Sequence, residues 1–170
     1  AKKIIIKNIS LDSNYIDYYI KDSKPLSMEP KKYISISGYS LQDKKTITIS
    51  SKSREFNLIF FSGSWCVPCH EAQPLFNTLF KKFNKKVNFI TIAFEKNLSD
   101  ATKYFHKVEP KYYFLYENST TKKPDYFTQQ FNITTFPSFL LIGNNGEIKY
   151  SGNSILALKK IKKILESKYN

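Results

Sequence analysis

Leu58-Ile59-Phe60-Phe61-Ser62-Gly63-Ser64-Trp65-Cys66-Val67-Pro68-Cys69-His70 is the stretch on which the reading of this chain turns. Its first four residues form a continuous apolar run bounded by polar ones, the pattern of a central strand covered on both faces. A helix is expected after Trp65, because Ala72, Leu75, Phe76, Leu79, Phe80 and Phe83 recur at three- and four-residue steps and make one apolar face. Pro74 should kink it. Two cysteines three apart stand where strand gives way to helix. Disulfide exchange needs a thiolate that can be reached and a second thiol close enough to displace the partner from the mixed disulfide. At a helix N-terminus the unpaired N–H groups and the dipole favour negative charge, which lowers a thiol pKa. Cys66 is therefore the expected attacking sulfur, and Cys69, one turn further in, the resolving one. In the intervening Val67-Pro68 pair, Pro68 removes an N–H that would be unpaired in the first turn and fixes a helical φ. Trp65 has two readings, a flat surface for a partner chain or plain core.

Outward from this stretch, the N-terminal side shows Tyr33 to Ser37 and Thr46 to Ser50, which alternate apolar with hydroxyl residues and read as a hairpin connected through Gly38 and Gln42-Asp43-Lys44. On the C-terminal side a second buried strand is expected over 87–94, a helix over 98–107, a third strand over 112–116 and a short helix over 123–130. Ser138 to Ile142 and Ile148 to Tyr150 flank Asn144-Asn145-Gly146-Glu147, and Asn-Gly between apolar runs is a strong hairpin signal. Ser154 can cap a last helix with Ile155, Leu158, Ile161 and Leu165 inward. The expected fold class is α/β, a mixed central sheet with helices on both faces and the hairpin as an N-terminal addition. Residues 1–30 lack a clean period and are treated as an extension of unknown role, with a short strand at 4–6 and a helical turn at 15–20; residues 31–170 make the folded domain.

At 170 residues, 41% hydrophobic and 16% aromatic, the chain has the burying power of one domain and is not a disordered composition. The net charge of +13 is almost wholly lysine, since Arg54 is the sole arginine. Lysine lacks the guanidinium fork that grips phosphates and guanine edges, so this excess argues against sequence-specific reading of nucleic acid. A solvated surface is the plainer reading, and attraction to acidic partners or anionic lipid the lesser one. No run approaches the ~18 apolar residues of a membrane span, so the expectation is a soluble chain, and the start at Ala1 leaves open a removed signal or membrane anchor. Two cysteines at this spacing are a local device rather than a disulfide scaffold.

Trp65-Cys66-Val67-Pro68-Cys69, the apolar strand before it, and Phe136-Pro137 entering a strand 68 residues after Cys69 together resemble the thioredoxin superfamily. The resemblance implies a thioredoxin fold and a cis Pro137 lying against the dithiol. It also implies substrate binding by Pro137, with the Phe136 backbone pairing to an extended peptide, and it gives Pro74 the family's helix kink. The plain reading of Pro137 is a proline opening a strand. Within the superfamily the chain is similar to redoxin-like proteins of the TlpA and ResA kind, in the hairpin before the site, the WCxPC motif, the extra structure before Phe136, and Gly146-Glu147-Ile148. That likeness runs from about Tyr33 to Lys168. It implies a periplasmic or cell-envelope reductase of protein disulfides, including those of cytochrome c precursors, often membrane-anchored and fed by an upstream electron donor.

Two positions depart from the family pattern. The buried acid six residues before the first cysteine is Phe60 here, and the subgroup's glutamate three residues after the second is Ala72. Glu71 is rotated from Ala72 by about 100° and faces elsewhere. Cys69 thus lacks its usual proton acceptor, for which Glu95, at the carboxyl end of a strand, is a candidate beside water; its plain reading is an exposed loop residue.

Cys66 to His70 is also a literal haem c attachment motif, but an apolar strand precedes it and Met28 is the only methionine. As a non-ligand in the first turn, His70 could raise the thiolate fraction of Cys66 when protonated or simply face solvent, and solvent is the expected reading. Zinc would need His70 and His106 beside the cysteines, at a spacing that fits no common finger. A peroxiredoxin-type peroxidase would not need the tryptophan-CxxC arrangement. The expectation is a thiol-disulfide oxidoreductase acting on protein thiols and disulfides, with no metal or organic cofactor beyond the redox-active Cys66-Cys69 disulfide, most simply a reductase. The alternatives are a redox-inactive thioredoxin-fold binding module and a disulfide-forming oxidant or isomerase.

Overall fold

The computed structural model describes residues 32–170 together with two short segments, β1 (Ile5–Ile6) and β2 (Tyr18–Tyr19), which pair antiparallel. These two belong to a separate unit spanning 1–31. At Tyr18-Tyr19 the backbone is extended rather than helical, in keeping with the strand preference of tyrosine; the remainder of the turn expected over 15–20 lies outside the described residues.

In the larger unit the elements run β3 (Ser35–Ser40), β4 (Lys45–Ser50), β5 (Phe56–Ser62), α1 (Val67–Phe83), β6 (Val87–Glu95), α2 (Leu98–Val108), β7 (Tyr113–Asn118), α3 (Phe127–Gln130), β8 (Ser138–Gly143), β9 (Ile148–Asn153) and α4 (Ser154–Tyr169). Seven strands form one sheet in the order β4-β3-β7-β6-β5-β8-β9. The central trio β7, β6 and β5 is parallel, and β3, β4, β8 and β9 join antiparallel. Every residue of β5 is buried, as its unbroken apolar run demands.

Alternation along the strands sorts the core into two layers. On one face Leu58 and Phe60 of β5, Phe89 of β6, Phe114 of β7 and Phe139 of β8 meet Phe76 of α1, Tyr104 of α2 and Leu158, Ile161 and Leu165 of α4. On the other, Ile59, Phe61, Ile90, Ile92, Leu115 and Leu140 meet Tyr33, Ile36, Ile49 and Phe127. Each fully buried phenylalanine in these layers contributes about 1.5–3 kcal/mol by area. Helices cover both faces, but unequally: α1, α2 and α4 share the first, and single-turn α3 serves the second.

Three local expectations change. Gly38 lies within β3 opposite Ile47, so the hairpin turn is confined to Leu41–Lys44. The helix expected from Lys123 begins only at Phe127, because Pro124-Asp125 forms a turn and the Glu117 carboxylate takes the N–H groups of Phe127 and Thr128 at its start. Ser154 is the first residue of α4 rather than its cap, a place that Asn153 takes without a side-chain bond; Ser154 has φ 65°, and its hydroxyl accepts from the Leu156 N–H at 3.3 Å. The β8–β9 turn needs its glycine: Gly146 has φ 81°, and a Cβ there would meet the Tyr33 backbone N at 2.8 Å.

Candidate active site

The C-terminal ends of β5 and β6, the start of α1 and the start of β8 meet at one edge of the sheet. Cys66 is the N-cap of α1, with extended backbone, and its sulfur accepts a hydrogen bond from the Cys69 N–H at 3.2 Å. The two cysteines are joined in a disulfide, their Cα atoms 5.2 Å apart. Cys66 keeps 3% of its surface exposed and Cys69 none. Val67, largely exposed, and Pro68 form the first turn, where Pro68 has no N–H to leave unpaired. Pro74 lies inside α1, and the Thr78 hydroxyl donates to its carbonyl at 2.9 Å.

The turn before Cys66 is tied down at several points. Ser64 donates its N–H to one Glu95 oxygen and its hydroxyl to the other, the latter at 3.1 Å. The Ser64 carbonyl in turn accepts from His70 Nε2–H at 2.8 Å. Trp65 donates its indole N–H to the Phe94 carbonyl at 2.9 Å, yet 54% of the residue is exposed. Gly63 is required by this arrangement, since a Cβ there would lie 2.5 Å from Trp65 Nε1.

Two sequence readings are corrected by these contacts. Glu95 is no exposed loop residue: it ends β6 with 2% exposure and both oxygens engaged. His70 does not simply face solvent, because Ser64 holds one ring nitrogen and the ring edge meets Tyr104 at 5.8 Å. Trp65 is surface rather than plain core.

The Phe136-Pro137 peptide is cis and leads directly into β8. The Phe136 ring bridges the two halves of the site, stacking on Phe94 at 5.3 Å and meeting Trp65 edge-on at 5.1 Å. Trp65, the neighbour of Cys66, is thus in contact with half-buried Phe136, behind which Pro137 is buried at the start of the strand.

Beneath the dithiol, Phe60 stacks on Phe139 at 4.8 Å and tilts against Phe76 at 5.0 Å. Ala72 is fully buried. A hydroxyl pair that the sequence did not single out lies at the end of β5: Ser62 Oγ and the Tyr104 hydroxyl are 2.6 Å apart and buried. Burial pushes the Tyr104 hydroxyl pKa upward, against the Ser62 hydrogen bond, so it stays protonated. Further along α1, Gln73 donates to Tyr112 and Asn77, and burial likewise holds the Tyr112 hydroxyl protonated.

A sequence profile of the family described as thioredoxin-like matches residues 55–148, from the start of β5 to the start of β9. The chain belongs to the thioredoxin-like family. Thioredoxin H4 of Arabidopsis thaliana is 31% identical over 81 residues, covering 46% of this chain and 67% of that protein. Among solved structures, a thiol-disulfide oxidoreductase from Bacteroides fragilis aligns over 79% of this chain and 99% of its own with TM-score 0.65 and 20% identity. A thioredoxin-family thiol:disulfide interchange protein from Chlorobium tepidum aligns over 81% and 97% at TM-score 0.62 and 22% identity. The exposed lipoprotein thioredoxin Etrx1 of Streptococcus pneumoniae does so over 78% and 98% at TM-score 0.64 and 16% identity. At these identities the structural likenesses establish the thioredoxin fold.

As a member of the thioredoxin-like family the chain is a thiol-disulfide oxidoreductase, and such enzymes act on protein thiols or disulfides without a cofactor. Among the described residues no group of three or more His, Cys, Asp or Glu could hold a metal ion, and none of the helices is long and apolar enough to cross a membrane. Ser64, Ser62 and Tyr104 are the site residues that sequence reasoning missed. The one signal for Ser64 was its place in the Ser-Gly-Ser turn, and nothing local marks Tyr104, which lies 38 residues beyond Cys66.

Proposed function

We propose that the chain reduces disulfides of partner proteins through Cys66 and Cys69, in the manner of the TlpA and ResA group. The places of the two sulfurs carry this reading: Cys66 caps the N-terminus of α1, 3% exposed and with an N–H aimed at its sulfur, while Cys69 lies one turn inside the helix and is fully buried. Once the pair is reduced, the Cys66 thiolate attacks one sulfur of a substrate disulfide. A Cys66–substrate disulfide forms and the other substrate sulfur leaves as a thiolate. Cys69 then loses its proton and attacks Cys66 Sγ, closing the Cys66–Cys69 disulfide and releasing the second substrate thiolate. Two electrons have passed to the substrate, and a donor dithiol or reductase of the cell must return two to the enzyme.

Trp65, Phe136 and cis Pro137 form the platform on which a substrate strand lies, and Val67 and Pro68 shape the turn. The catalytic part is the domain over 31–170, with residues 1–30 an extension outside it. Location in the cell envelope is supported by the fold likeness to an exposed lipoprotein thioredoxin. A binding module is the second reading, favoured by the absence of an acid at Phe60 and Ala72.

Cys69→Ser tests the choice. In that variant attack proceeds but resolution stops, so a disulfide-containing substrate protein should remain covalently attached to Cys66 until a reductant is added. A Cys69→Ser protein that forms no mixed disulfide with a reactive model such as oxidised insulin, while the unaltered protein reduces none, would leave the binding module.

A further inference from the structure

Ser64 is held on all its polar groups, and the holders come from both sides of the dithiol. Its N–H and hydroxyl go to the two oxygens of Glu95 at the end of β6, and its carbonyl receives the His70 N–H from the first turn of α1. Ser64 is two residues from Cys66, whose own N–H closes the turn onto the Gly63 carbonyl at 3.1 Å. The neighbouring bond from Trp65 to the Phe94 carbonyl anchors the substrate-facing indole to the same strand end. A carboxylate buried to this degree is costly unless its lone pairs are filled, and here the donors that fill them belong to the turn that presents the attacking sulfur.

We infer that Glu95 is a positioning residue: acting through Ser64, it fixes the Gly63–Trp65 turn and so holds Cys66 under the Cys69 N–H and Trp65 beside Phe136. The inference rests on the assignment of Cys66 as nucleophile. It departs from a proton-acceptor role for Glu95, whose oxygens are directed at Ser64. His70 is the counter-anchor, closing the turn from the helix side.

Charge and position separate in two variants that carry the same charge. In Glu95→Gln the amide oxygen can accept the Ser64 N–H and the amide N–H can donate to the Ser64 hydroxyl, so the turn keeps its tether. In Glu95→Ala both bonds are gone. Neither variant can accept a proton. Ser64→Ala removes one bond of the two and should fall between them.

The experiment measures two quantities in each variant, with circular dichroism and thermal melting used to choose a temperature at which all are folded. The first is the pH midpoint of Cys66 alkylation by iodoacetamide in a Cys69→Ser background, where one thiol titrates. The second is the rate of insulin reduction by the otherwise unaltered dithiol. With the turn loosened, the thiolate loses its fixed N–H donor, so the midpoint of Glu95→Ala should lie above that of Glu95→Gln by about one unit. Exchange should be slower in Glu95→Ala by about tenfold, the scale expected for a small misplacement of a reacting group. If the two variants share one midpoint and one rate, Glu95 does not position Cys66: equal and slow exchange would make it a proton acceptor, and equal, unimpaired exchange a purely structural residue. Failure of the unaltered protein to reduce insulin would instead strike at the function proposed above, and the alkylation midpoints would still decide the positioning.

Discussion

Glu117 is the second buried carboxylate of the domain, and removing it should both weaken the fold and change its pH dependence. It lies on β7 with 4% exposure, and its oxygens accept the N–H of Phe127, the N–H of Thr128 at 3.2 Å and the Thr128 hydroxyl at 2.8 Å. Glu117→Ala leaves three buried donors without an acceptor. At about 1–3 kcal/mol for each, reduced by water entering the space vacated, the expected loss is about 3 kcal/mol. For a unit of this size that is a fall in Tm of about 10 °C. Burial, opposed by the hydrogen bonds from Thr128 and Phe127, holds the Glu117 carboxyl above its ordinary value of 4.5. Between that value and the raised one, the native chain binds a proton that the unfolded chain does not, so this group's contribution to stability falls as pH rises through the window. Acidification from neutrality toward about 4.5 should therefore stabilise the unaltered protein relative to Glu117→Gln, which cannot titrate. Glu55 and Glu147, held below the usual range chiefly by hydrogen bonds from Lys168 and Lys149, act in the opposite sense but equally in both proteins, and cancel in the difference. Urea denaturation followed by Trp65 fluorescence from pH 4.5 to 8, with thermal melting at each end, measures both effects. A loss below about 1 kcal/mol in Glu117→Ala, or a pH-independent difference from Glu117→Gln, would refute the reasoning.

Phe60→Ala opens a cavity between Phe76 and Phe139 and should cost about 3–5 kcal/mol in urea denaturation. Tyr104→Phe strands the buried Ser62 hydroxyl and should cost about 1–2 kcal/mol by the same assay, where no change would mean that water or another group takes the partner's place. Gly146→Ala forces a side chain onto the Tyr33 backbone at φ 81° and should destabilise by more than about 1 kcal/mol, in contrast to the gain of stability that Gly→Ala brings at unstrained positions.

What the sequence disclosed, it disclosed through period and spacing. The unbroken run in β5, the 3–4 spacing in α1 and the Asn-Gly turn each determine local structure without help from distant residues, and they were enough to outline a mixed sheet with the dithiol at its edge. The start of α3 could not be read in this way, because it is set by a Glu117 side chain ten residues earlier in the chain. Glu95 illustrates the limit at the site itself. Its position at a strand end was legible, but its burial and its bonds to Ser64 depend on how closely the turn folds back on β6. Likewise His70 looked free beside Cys69, and only the return of the turn places the Ser64 carbonyl within its reach.

The most direct test of the central claim is equilibration of Cys66 and Cys69 in glutathione or dithiothreitol buffers of defined potential, read by Trp65 fluorescence and by thiol alkylation. A single reversible two-electron couple is predicted, with a reductase's potential, closer to about −270 mV than to about −120 mV. A pair that never cycles between dithiol and disulfide would contradict the account, and a potential near the upper figure would reverse the proposed direction of exchange.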